Sequence, residues 1–396
     1  MRSGLFGDSG EFTWFITSAP LSPCCHSDPS VAGRVQSLDF QLNLAEKHPL
    51  PVPSLAPRKM LKSWKAALFP HRRSPSQQPA PYEAFIARLS AVLPLMTNLQ
   101  AFTAKVWNWP IQDLNHFLTM AWSSFRRNLR KLSLGGSLDA FLVLPPSNIL
   151  FDSLRELDLE FTSTPEIADS DARVLVENIV PFVNNLAPQL LAFRVWSIAF
   201  ADLSPFFKHL TLFPLLETFA IRAPFNRSFS EDPSGLTQLL HNSSTTLKAL
   251  QLRLNPSGFL DLTSGPPDDR LPAWLLHTFA NETFLASGLH TLQLYPSSSD
   301  TGIDTLIFCL ERSSQSLNKV TVYDRYLSYP QVCRVVAALP SQLVYLRLNI
   351  LGLSPTILDL LANRLPNLTD LTLHIGGIIS DSSQVSLGQP RSIFPC

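Results

Sequence analysis

A six-residue segment of the form Leu-x-x-Leu-x-Leu, with Phe, Val, Ile or Ala as occasional substitutes, recurs ten times from Leu99 onward. Its clearest copies start at Leu129 (LRKLSL), Leu154 (LRELDL), Leu247 (LKALQL), Leu289 (LHTLQL), Leu343 (LVYLRL) and Leu368 (LTDLTL). Weaker ones start at Leu99, Leu190, Leu216 and Leu317. Successive starts lie 30, 25, 36, 26, 31, 42, 28, 26 and 25 residues apart. Residues four and six of each copy point to one side of a short strand, and those between them to the other. One such strand cannot bury its apolar side alone, so the copies must stack into a solenoid.

Between the segments the apolar spacing turns helical, predicting helices over Asp113 to Phe125, Asp171 to Val183, Gly302 to Leu310, Tyr329 to Leu339 and Pro355 to Leu365. Ser354-Pro355 supplies a cap followed by a proline at the first helical position. Strands stack about 4.8 Å apart whereas helices need about 10 Å of width. The stack must therefore curve with its strands inside. The expected fold is α/β, a horseshoe with parallel strands on its concave face and helices on its convex face, spanning residues 31–380 between an irregular segment 1–30 and a tail 381–396.

These residues resemble the leucine-rich-repeat family in its irregular long-repeat form, over residues 80 to 380. The ninth position of each copy departs from the family: only Asn255 carries the usual Asn or Cys, and other copies hold Ser137, Thr162 or Gly376. The resemblance implies a protein-binding scaffold whose loops lack the family's asparagine ladder.

The first hundred residues contain another strand-like piece, Val35-x-x-Leu38-x-Phe40, within His26 to Leu44. It reads as a cap leading into the solenoid. The same stretch is similar to the junction between the F-box and the first repeat in fungal F-box proteins, although the leucine- and proline-patterned F-box itself is not visible. That resemblance implies the substrate-recognition part of a ubiquitin-ligase adaptor, with ligase core components as partners. The alternative is a free-standing interaction or GTPase-regulatory protein of the same fold. Residues 46–81 form a proline-rich insertion in which Arg58, Lys59, Lys62, Lys65, Arg72 and Arg73 alternate with Leu61, Trp64, Leu68 and Phe69. It reads as a solvated insertion, or as an amphipathic segment meeting an acidic partner or a membrane surface.

With 31 basic and 31 acidic side chains, the chain as a whole favours neither nucleic acid nor an anionic membrane. Five cysteines without repeat spacing point to a reducing compartment, cytoplasmic or nuclear. Catalytic chemistry is not expected. Phe6-Gly7-Asp8-Ser9 is similar to the nucleophile block of GDSL-type esterases, but too few residues precede it for a strand and no partner Asp-x-x-His follows. Cys24-Cys25-His26 cannot converge on one tetrahedral metal centre. Neither a cofactor nor a metal is implied.

Positions two, three, five and seven of each copy are left for the concave face. Column seven reads Gly135, Glu160, Trp196, Arg222, Arg253, Tyr295, Tyr323, Asn349 and His374, and column five supplies Asp158, Arg194, Gln251, Gln293 and Arg347. Trp, Tyr and Arg dominate interface hot spots. The candidate protein-binding residues are Trp196, Arg222, Arg253, Tyr295, Tyr323, Arg194, Arg347, Glu160 and Asp158, facing a protein or peptide with some acidic character. The competing expectation is that these aromatics only cover the sheet. Trp107, Trp109 and Trp122 fall outside the columns and are expected in the core.

Overall fold

The computed structural model describes residues 35–43, 91–107, 111–145, 151–162, 168–198, 201–255, 270–280, 288–295, 300–313 and 315–376. The segment 1–30, Ser9, Cys24, Cys25, His26, the basic insertion, Trp109 and the tail 381–396 lie outside the described residues, as does the Trp107 side chain.

Eleven strands form one parallel sheet in strict chain order. They are β1 (Ser37–Asn43), β2 (Ala101–Trp107), β3 (Lys131–Ser137), β4 (Glu156–Thr162), β5 (Ala192–Ser197), β6 (Thr218–Pro224), β7 (Ala249–Asn255), β8 (Thr291–Leu294), β9 (Lys319–Leu327), β10 (Tyr345–Ile350) and β11 (Asp370–Ile375). Ten coincide with the repeated segments, and β1 with the cap around Leu38. Each strand begins at the third position of its segment, so equivalent residues pair directly: Ala101, Lys131, Glu156, Ala192, Thr218 and Ala249 form one continuous row. The fold is that of a leucine-rich-repeat solenoid, with the sheet on its concave side.

The principal helices are α1 (Ile111–Phe125), α2 (Ala168–Val174), α3 (Val180–Leu186), α4 (Ser204–Lys208), α5 (Arg227–Glu231), α6 (Ser234–Asn242), α7 (Arg270–Ala280), α8 (Asp300–Ser313), α9 (Tyr329–Ala338) and α10 (Pro355–Arg364). The single helix expected over Asp171 to Val183 is divided: a π-helical stretch, Leu175–Ile179, separates α2 from α3. Pro181 explains it. A proline in a continuous α-helix would press its ring on the carbonyl four residues back, here Glu177, and a wider turn relieves that contact. At the head of α9, Gln331 reaches back to accept from the Ser328 amide at 3.0 Å.

Leu132, Leu157, Phe193, Phe219, Leu250, Leu292, Val320 and Leu346 hold the fourth position of successive strands, none more than 1% exposed. Behind them the core changes character along the chain. Trp122 joins Phe102 and Phe151 edge to face, and Phe151 touches Phe182. A second aromatic run goes from Phe141 through Phe161, Phe206, Phe207, Phe229 and Phe225 to Trp274. From α8 onward the buried residues are mainly aliphatic, such as Ile303, Leu306, Val332, Val335 and Val336. Edge-to-face ring pairs contribute about 0.5–1.5 kcal/mol each beyond area burial, so the aromatic half is cross-braced between repeats.

Two sites yield opposite-signed stability tests. A Cβ at Gly235 would lie 2.3 Å from the Lys208 amide nitrogen, because α6 rests on the backbone of α4. Gly→Ala within a helix ordinarily stabilises, but Gly235→Ala is expected to cost about 1–3 kcal/mol in urea unfolding through overpacking. Asp171 is 7% exposed, and burial, then the charge of Asp139, raises its carboxyl above the ordinary 3.8. The folded state thus holds this proton more tightly than the unfolded state. Its contribution is present below pH 3.8 and lost as the pH rises through the raised value. Asp171→Asn should therefore raise the Tm at pH 7 and leave it unchanged near pH 3, read by differential scanning calorimetry.

Candidate functional site

The concave face divides into two halves with different electrostatics. On β4 three of the four outward positions are acidic, Glu156, Asp158 and Glu160, a row of like charges that only neighbouring strands can offset. They do so one for one. Arg194 on β5 donates from Nη1 to Asp158 at 2.8 Å and to Glu156 at 3.1 Å. Lys131 on β3 stands 3.5 Å from Asp158 and 3.7 Å from Glu156. Lys105 on β2 reaches over β3 to Glu160 at 2.6 Å.

That last contact depends on Gly135. A Cβ there would meet Lys105 Cγ at 3.2 Å and Glu160 Cβ at 3.3 Å, so the bare position in column seven is the gap through which the two side chains join. Burial works against the charge of Arg194, but the hydrogen bonds and charges of Asp158 and Glu156 prevail and hold its guanidinium above the ordinary range.

From β6 to β10 four cations rest on aromatic rings. Trp196 is 39% exposed, and the Arg222 guanidinium carbon lies 6.0 Å from its ring centre. Tyr323 lies between two arginines, with Arg253 at 5.1 Å and Arg347 at 5.4 Å from its ring centre. Its hydroxyl donates to Gln293 Oε1 at 2.8 Å, fixing the ring that positions both guanidinia. The Arg347 Nε is buried without a hydrogen-bond partner. Lys319 Nζ sits 4.3 Å over the ring of Tyr345. Cation–π contacts of this kind contribute about 0.5–2 kcal/mol each.

Two sequence expectations are corrected by the geometry. Tyr295 is not on the concave face: β8 ends at Leu294, and the Tyr295 side chain, 6% exposed, belongs to the hydrophobic core. Tyr323 does not stand opposite Asn349. Arg347 pairs with Thr321 but Asn349 with Tyr326, so β9 carries three more residues than β10 across this interval. The extra length forms a bulge that brings Tyr323 over the neighbouring rows. Arg325, in the same bulge, is 13% exposed at its side chain and 4.0 Å from Asp300; burial lowers its pKa, against the opposing effects of Asp300 and Tyr295.

Trp196, Arg222, Arg253, Arg194, Arg347, Glu160 and Asp158 all occupy outward strand positions, in two clusters rather than one row. Reading columns five and seven alone misses Lys131, Glu156, Lys319 and Tyr345, which fill column three. The alternation that marks column seven marks them as well. Trp122 is in the core, at 1% exposure. Among the described residues no group of three or more His, Cys, Asp or Glu is arranged to hold a metal ion, and no helix is long and apolar enough to cross a membrane.

No protein-family model and no curated protein matches the chain. Among solved structures it is similar to the yeast Rad7 and Elc1 complex, with 14% identity over 76% of this chain and 79% of that one and a TM-score of 0.43. It is also similar to the TLR13–ssRNA13 complex, with 13% identity over 73% of this chain and 45% of that one and a TM-score of 0.31.

The charge network on β2 to β5 makes a direct expectation. Arg194→Gln leaves Glu156 and Asp158 facing each other with Lys131 as the remaining neighbour, and should lower stability by roughly 1 kcal/mol at low salt. The loss should shrink in 0.5 M NaCl, because these side chains are partly exposed and salt weakens ion pairs that solvent reaches. Paired chemical denaturation curves measure both.

Proposed function

We propose that the chain is a non-catalytic recognition scaffold that receives a protein or peptide segment of acidic character on its concave face. The observation that carries this reading is the Arg253–Tyr323–Arg347 stack, with Trp196 and Arg222 beside it on β5 and β6. Ring stacking restrains each guanidinium, so less rotamer freedom is lost on binding than from an arginine with no such support. Columns three, five and seven of β6 to β10 contain Arg222, Arg253, Lys319 and Arg347 and no Asp or Glu, and in column two Glu217 is paired with Lys248 at 2.6 Å. A ligand with spaced acidic residues matches that sign; a basic one would be repelled.

Within this reading the chain serves as the substrate-recognition portion of a ubiquitin-ligase adaptor related to F-box proteins. The support is the short likeness around Val35, Leu38 and Phe40 and its position directly ahead of the repeats. The ligase core would then be reached through sequence outside the concave face.

The test is selection from a displayed library of extended peptides, followed by fluorescence anisotropy with the selected sequences. Acidic peptides should be enriched, and a Trp196→Ala, Arg222→Ala, Tyr323→Ala variant with an unchanged circular dichroism spectrum should bind them at least tenfold more weakly. Equal binding by the variant would move the site off this face. Recovery of ligase core components from native extract by wild type and variant alike would support the adaptor assignment; their absence from both would argue for a scaffold of another kind.

A further inference from the structure

The last strand of the sheet is unlike the ten before it. On β10, Leu346, Leu348 and Ile350 are fully buried, but on β11 Leu371 and Ile375 are each 40% exposed and Leu373 is only half-buried. Leu351 and Leu358, at 56% and 46% exposed, extend the same apolar end. The opposite end of the sheet is closed over its core: Val35 and Leu38, before and on β1, are 3% and 1% exposed.

Among the described residues, no strand pairs with the outer edge of β11. The amides of Asp370 and Gly376 donate to Val344 and Ile350 of β10, so by alternation those of Leu371, Leu373 and Ile375 point away from the sheet. Asp370–Ile375 contains no proline, lysine or arginine, the residues that usually blunt such an edge.

We propose that β11 is the contact through which two copies of this chain associate, antiparallel, about a two-fold axis at Thr372. In that register Leu371 lies opposite Leu373 of the second copy on the core side, where each strand's outward amide and carbonyl meet. Asp370 lies opposite His374 on the concave side, at a non-hydrogen-bonded pair where side chains approach most closely. A self-complementary edge closes as a two-fold dimer. Head-to-tail stacking of β11 on β1 would instead leave its leucines facing a core already covered at Val35 and Leu38. A two-fold axis perpendicular to the sheet puts both helical layers on one side and joins the two concave faces. This association is independent of what the concave face binds.

Sedimentation velocity on the full chain between about 1 and 100 µM tests it. The expected result is a concentration-dependent species of twice the 44.0 kDa chain mass. Leu371→Lys, at a position already 40% exposed and so compatible with folding, should raise the dimer Kd at least tenfold. Asp370→His should weaken association, and Asp370→His combined with His374→Asp should restore it. A monomer up to 100 µM would overturn the proposal, and so would a dimer indifferent to all three variants. Thermal melts of each variant check that the fold is intact.

Discussion

Everything in this molecule depends on the stacking of two inward residues per strand. A six-residue strand with one apolar side has no stability of its own; parallel neighbours in register cover its leucines and satisfy its backbone at once. The row from Leu132 through Leu157, Phe193, Phe219, Leu250 and Leu292 is therefore one continuous contact surface rather than a set of local cores. The usual asparagines of the ninth position are mostly missing, and between β2 and α7 the repeats are bridged instead by buried Phe and Trp rings.

The architecture was legible because its period is written in the leucines. Strand positions, parallel order, the cap at Leu38 and the helix ends at Phe125 and Tyr329 follow from spacing alone, and the helix start at Pro355 from the Ser354-Pro355 pair. What spacing could not show is where the chain departs from its own rule. The division of the helix around Leu175–Ile179 comes from one proline, Pro181. The β9 bulge comes from three surplus residues in a run, Val322 to Tyr326, whose residue types, Asp324 apart, suit a strand. Tyr295 reads as a seventh-position residue, yet its strand stops one residue earlier and the ring turns inward.

For the concave face, the alternation marked outward positions, Tyr295 being an exception, and left open how they combine. Arg194 and Arg222 are alike in the pattern, but one is held by carboxylates on β4 and the other lies over an indole on β5. Strand neighbours decide the difference, and they come into view only once the register is known. The half from β2 to β5 satisfies its charges internally through Lys105, Lys131 and Arg194. The half from β6 to β10 presents cations supported by rings, with the β9 bulge lifting Tyr323 between them.

The shift from an aromatic to an aliphatic core gives the solenoid a direction in which it comes apart. In a stack where each repeat contacts only its neighbours, opening starts where the last interface is weakest and moves inward one repeat at a time. β11 has leucines covered on one side only, α10 buries just Ile357 and Leu361, and the run of buried rings from Phe141 to Trp274 lies further in. In the monomer, backbone amides should thus exchange with solvent along a gradient rising from β11, with β2 to β7 as the segment that opens last.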